Sequence, residues 1–189
     1  MDLHFWKRVF VMCALFAETA TAQNLVLNPD FDTDLSHWTP DSIANWSVDA
    51  SDGFPAAGSA HGVGNTEGIS IRSDCIAISG GQDIDLIADV KDASQFASVS
   101  ITIVTYANST CSAQGGQLAL GQFSQPLGNG WMQGGMTAPL PAGIGSVVLL
   151  LQTSGFGAIA DTRWDHIRFG PSGTAPVRLQ SFGVTSSGP

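Results

Sequence analysis

The feature that most constrains the fold is a strict two-residue rhythm over residues 83–90. Ile84, Leu86, Ala88 and Val90 fall on one side of an extended chain, and Asp83, Asp85 and Asp89 fall on the other. A helix would scatter these apolar positions around its circumference, whereas a strand sends alternate side chains to opposite faces. The next run repeats the device, with Val99, Ile101 and Ile103 alternating with Ser98, Ser100 and Thr102. Short apolar runs punctuated by 22 glycines and 9 prolines have the rhythm of an all-β sandwich. Gly80-Gly81 precedes the first of these strands, and 107–114 reads as the loop after the second. Further strands are predicted over 117–123, 131–137, 146–153 and 163–169. Residues 147–151 lack polar alternation, which predicts a central strand buried on both faces. About nine or ten strands and little helix are expected.

The N-terminus reads differently. Lys7 and Arg8 precede an apolar run over 9–17, and Ala20-Thr21-Ala22 is a small-residue cleavage site. Residues 1–22 therefore read as a secretory signal peptide. The run is too short to span a bilayer, and no later segment reaches the ~20 apolar residues a spanning helix needs, so no transmembrane segment is expected. The expected location is secreted, periplasmic or at the cell surface. The chain of 189 residues carries a formal charge of −9 and has no basic stripe, which argues against nucleic acid as a partner. Cys13 lies in the signal, leaving Cys75 and Cys111. Export makes a disulfide between them the expected state, the alternative being two separate buried thiols. Closing that loop is credited with about 3–4 kcal/mol in the chain-entropy treatment.

Two segments far apart in sequence carry a resemblance. The first is Asn24-Leu25-Val26-Leu27-Asn28-Pro29-Asp30-Phe31-Asp32, followed by His37-Trp38; the second is Arg163-Trp164-Asp165-His166-Ile167-Arg168-Phe169. Between them lie Trp131, Ala138-Pro139 and Gly145-Ser146-Val147-Val148-Leu149 in the same order. The chain resembles carbohydrate-binding modules of the cellulose- and xylan-binding kind, whose opening motif is Asn-Pro-Gly-Phe-Glu and whose last strand reads Phe-Asp-Asp-Val. Asp30 stands for the glycine, Asp32 for the glutamate and His166 for the second aspartate. The resemblance implies a galactose-binding-like jelly-roll β-sandwich of two antiparallel sheets over residues 23–170. Beyond it, 171–176 reads as a linker; 177–184 alternates like one more strand and is either an edge strand or part of a tail, and the last residues read as disordered.

The resemblance also implies a site. Asp32 and Asp165 would share Ca²⁺ with backbone carbonyls, a set of hard oxygen donors suited to calcium; the 51–59 loop is one source of such carbonyls, and the sequence does not assign them. Their other reading is as turn, cap and backbone-bonding residues. Trp38, Trp131 and Trp164 fall on the family's core positions. Trp46 and Tyr106 are the aromatic residues least explained by that core, and Asn108 lies beside Tyr106. These three are the candidate sugar contacts, since a sugar's C–H face stacks on an open ring and its hydroxyls bond amides; ordinary half-buried packing is the alternative. His37, His61 and His166 are scattered, and no nucleophile elbow, zinc motif or phosphate loop is present. The expected activity is non-catalytic binding of a polysaccharide or cell-surface glycan. The alternative is an exported structural or adhesion domain that contacts another exported protein.

Overall fold

The computed structural model describes residues 23–64, 68–94, 97–120, 123–155 and 159–173. The proposed signal peptide and the 177–184 segment lie outside these residues. Twelve strands run in chain order: β1 (Trp38–Pro40), β2 (Trp46–Val48), β3 (Ala60–Gly64), β4 (Ile69–Ser73), β5 (Ile76–Ala77), β6 (Asp83–Asp92), β7 (Ala97–Tyr106), β8 (Gln114–Leu120), β9 (Gln125–Gly128), β10 (Trp131–Pro139), β11 (Ser146–Gly155) and β12 (Ala160–Pro171). A single 3₁₀ turn, Ile43–Asn45, is the only helical element among the described residues. No described helix is long and apolar enough to cross a membrane.

Two antiparallel sheets form a β-sandwich. Sheet A has the order β1-β4-β11-β7-β8, with β5 also on β11; sheet B has the order β2-β3-β12-β6-β10-β9. The alternation read from the sequence sets which side chains lie between them. Ile84, Leu86, Ala88 and Val90 of β6 join Ile101 and Ile103 of β7 and Val147, Leu149 and Leu151 of β11 in one buried cluster. Each such Ile or Leu gains about 1.5–3 kcal/mol over the exposed state.

The expectation for 147–151 needs correction. β11 is central, lying between β4 and β7, but it is buried on one face only. Val147, Leu149 and Leu151 point inward, while Val148 and Leu150 are half-buried on the outer face of sheet A. An unbroken apolar run therefore marks here an apolar outer surface, not a second core.

The opening segment is bound to the last strand. The Asn24 amide donates to the Ile167 carbonyl and its oxygen accepts the Phe169 N–H, both at 3.0 Å. Ile167 N–H donates to the Pro29 carbonyl at 2.9 Å. Phe31 is fully buried and takes a left-handed φ of 49°, unusual for a bulky residue. Its ring centroid lies 5.2 Å from that of Trp38, whose indole N–H donates to the Leu27 and Asn28 carbonyls. Cys75 and Cys111 are joined, with S–S 2.13 Å and Cα–Cα 5.8 Å. The bridge ties the turn after β4 to the connection between β7 and β8.

Candidate functional site

The two outer faces differ in charge before any contact is considered. The strands of sheet A contain no Asp or Glu, and Arg72 is their one charged residue. The strands of sheet B contain Asp83, Asp85, Asp89, Lys91, Asp92, Asp161, Arg163, Asp165 and Arg168.

On sheet B the segment joining β2 to β3 is bound across the outer face. Asp49 accepts Arg163 Nε at 2.8 Å, and Asp52 accepts Lys91 Nζ at 2.7 Å. The other Asp52 oxygen accepts Trp131 Nε1 at 3.2 Å. Trp131 is 1% exposed, yet it pairs with Lys91 on β6 and so lies on the outer side, apart from the sandwich core. Its expected packing role stands, in a different place. Phe54 N–H donates to Asp165 Oδ2 at 2.6 Å, and His166 N–H donates to Asp165 Oδ1 at 2.6 Å.

Asp165 and Asp89 are directly opposite in the β12–β6 register, and they are 2% and 1% exposed. Gln133 donates to Asp89 at 2.8 Å. Burial pushes the Asp165 carboxyl up to about 8 against the pull of the Phe54 and His166 amides, and the charges of Asp30 and Asp89 push it the same way. Burial would likewise raise Asp30, but hydrogen bonds from His166 and Arg168 hold it below the ordinary carboxylate range. Arg168 Nη2 lies 2.8 Å and His166 Nδ1 3.3 Å from Asp30 Oδ1. Asp30 and His166, two of the three departures from the pattern the chain resembles, thus meet each other where the β12 register shifts.

Gly58, at φ +119°, packs so closely that an added Cβ would meet Asp32 Cα, Asp32 Oδ1 and the Phe31 carbonyl oxygen. An added Cβ on Gly53 would meet the carbonyl oxygens of Ala56 and Gly58. Asp165 and Asp32 therefore contact the same loop, at Phe54 and at Gly58. Among the described residues no three His, Cys, Asp or Glu side chains form a metal cluster. A calcium ion here would take two carboxylates and backbone carbonyls, and its charge would relieve the buried Asp165.

Sheet A is open. Across its outer face the register runs Thr39, Arg72, Leu150, Thr102, Ala119 in one row. Ser70, Gln152 and Ser100 form the next, and Val148, Val104 and Gln117 lie on the other side. Thr102 donates to Gln152 Oε1 at 2.7 Å. At one end Asp41, Ser70, Ser98, Gln152 and Ser154 line a polar hollow, where Asp41 accepts the amides of Ser42 and Ser70 at 2.7 Å. The face offers aliphatic surface for sugar C–H groups, with hydroxyls and an amide for sugar oxygens.

The predicted sugar contacts separate here. Tyr106 is half-buried at the end of β7 on this face, opposite Ser146. Trp46 is a correction: it is 4% exposed and belongs to the core cluster. Gly62, its partner across β2–β3, leaves room for the ring, and an added Cβ there would meet it at 3.0 Å. With no open ring face Trp46 cannot stack a sugar, and its Nε1 is a buried donor with no partner among the described residues. Asn108 lies in the turn after β7 and is half-buried. Its amide donates to Ser112 Oγ at 2.6 Å and its oxygen accepts Ser112 N–H at 3.1 Å, which leaves one N–H and one lone pair for another partner. Sequence reasoning missed Arg72, Thr102 and Gln152. The absence of acids from every strand that joins this sheet was the available signal.

No protein-family model matches the chain, and no curated protein matches it. Solved structures do. A family 16 carbohydrate-binding module superimposes with TM-score 0.59 at 17% identity, covering 77% of this chain and 99% of that one. A family 61 module, solved with β-1,4-galactotriose, gives TM-score 0.58 at 11% identity, covering 79% and 99%. The enzymatically active domain of bacteriophage CBA120 tailspike protein 4 gives TM-score 0.59 at 14% identity; the match covers 78% of this chain and 21% of the tailspike chain. The chain shares the β-sandwich fold of these structures.

Proposed function

We propose that this chain is an exported, non-catalytic module that binds a polysaccharide or cell-surface glycan on the outer face of sheet A. The observation that carries the reading is that face itself. Leu150, Val148 and Val104 stand half-buried beside Thr102, Gln152 and Tyr106, in the fold of modules one of which was solved with galactotriose. The buried carboxyl pair Asp89–Asp165 lies beneath a bound loop, so neither group is open to a glycosidic bond. Calcium held by Asp32, Asp165 and loop carbonyls would fasten the opening segment to the last strand. The test is retention of the full chain in gels containing xylan, galactan, glucomannan or pectin. Thr102→Ala with Gln152→Ala should abolish retention and leave the melting temperature unchanged. Unaltered retention in that variant, or release of reducing ends by the wild type, contradicts the proposal.

A further inference from the structure

We infer that the glycan taken by sheet A bears uronic carboxylates, and that Arg72 binds them. The inference rests on the glycan reading and adds the chemical class of the ligand. Four cations fall among the described residues. Lys91 is held by Asp52, Arg163 by Asp49, Asp52 and Asp161, and Arg168 by Asp30. Arg72 has no acidic partner among the described residues, and it is exposed in the middle of β4.

In a chain of formal charge −9, an outward cation on a sheet whose strands hold no acid is a local inversion of sign. The acids flanking this sheet are already engaged. Asp41 turns its carboxylate onto the amides of Ser42 and Ser70, and Asp74 bonds His37 Nδ1 at 2.8 Å. Arg72 is therefore free to offer its planar fork to a ligand carboxylate, the geometry for which a guanidinium is better suited than an ammonium. Its register neighbours are Thr39 on one side and Leu150 on the other. A sugar lying over Leu150, its hydroxyls at Thr102 and Gln152, would carry its carboxylate toward Arg72. A neutral glycan would leave that guanidinium unused.

The test uses the full chain with polygalacturonate, glucuronoxylan and alginate, each beside its carboxyl-reduced, neutral form. Wild type should bind at least one uronate ten-fold or more tighter than its reduced twin, and the preference should weaken with salt. Arg72→Gln should erase the preference without lowering the melting temperature, and Arg72→Lys should restore only part of it. Equal binding of acid and reduced forms, or a preference that survives in Arg72→Gln, overturns the inference while leaving the glycan reading intact. Retention of no polysaccharide, acidic or neutral, overturns both.

Discussion

On sheet B, Asp89 and Asp165 face each other almost wholly buried under a loop; on sheet A, Arg72 stands in the open beside Leu150. Both sheets share one core and nearly equal size, yet they are fastened differently. Sheet B carries the charged strands, and its cover is bound by Asp49, Asp52, Lys91, Arg163 and Trp131. Sheet A has almost no charge with which to bind a cover. Its covalent tie sits at one end, at Cys75 and Cys111, and leaves the strands' outer surface free. The heavily charged sheet has its outer face bound by a loop, whereas the sheet with a single charged residue keeps that residue, Arg72, exposed.

The comparison breaks first at Trp131. If the covered face is structural, Trp131→Ala should cost about 3–5 kcal/mol in urea unfolding, because a buried indole is lost and Asp52 loses a donor. Leu150→Ala on the open face should cost under about 1 kcal/mol. Similar losses at the two sites would dissolve the distinction.

Reduction of the disulfide comes next. The bridge closes a separation of 36 residues, which the chain-entropy treatment values at about 3–4 kcal/mol. Thermal unfolding with and without reductant reads this, and an unchanged midpoint would remove the covalent half of the comparison.

Calcium should act on the covered side. At a hundredfold excess over its Kd, a ligand of the native state alone adds about 2.7 kcal/mol. The melting temperature should rise with millimolar calcium over chelator in wild type and stay fixed in Asp165→Ala. An equal rise in the variant would place the ion elsewhere.

The smallest effect expected is one of pH. Hydrogen bonds from Ser51, then Arg163, hold the Asp49 carboxyl well below its ordinary 3.8. A depressed carboxyl stabilises the folded state above the unfolded value and loses that contribution as pH falls through the folded one. Wild type should lose stability between about pH 4 and 2 more steeply than Asp49→Asn. Parallel acid titrations of the two would show that the Asp49–Arg163 contact contributes nothing.

Much of the sandwich was legible because strand periodicity depends on neighbours in sequence. The alternation of 83–90 and 98–103 predicts both strands and their inward faces. What covers an outward face was not legible, because it is set by residues far away. Asp89 reads as a solvent-facing acid, and it is buried because a loop some forty residues earlier crosses it. The same blindness made 147–151 look doubly buried, since a run of Val and Leu does not reveal whether anything lies outside it. Trp46 looked free because its neighbours Asn45 and Ser47 are polar, while the space for its ring comes from Gly62 on another strand. Asp32 and Asp165 could be paired in sequence only through the family resemblance.

The most direct test of the central claim is an amide chemical-shift map of ¹⁵N-labelled protein titrated with an oligosaccharide cut from whichever polysaccharide is retained. The account predicts saturable shifts centred on Ser70, Arg72, Thr102, Val104, Val148, Leu150 and Gln152, with 49–58 and β12 undisturbed. Shifts confined to 49–58 and β12, with sheet A silent, would contradict it.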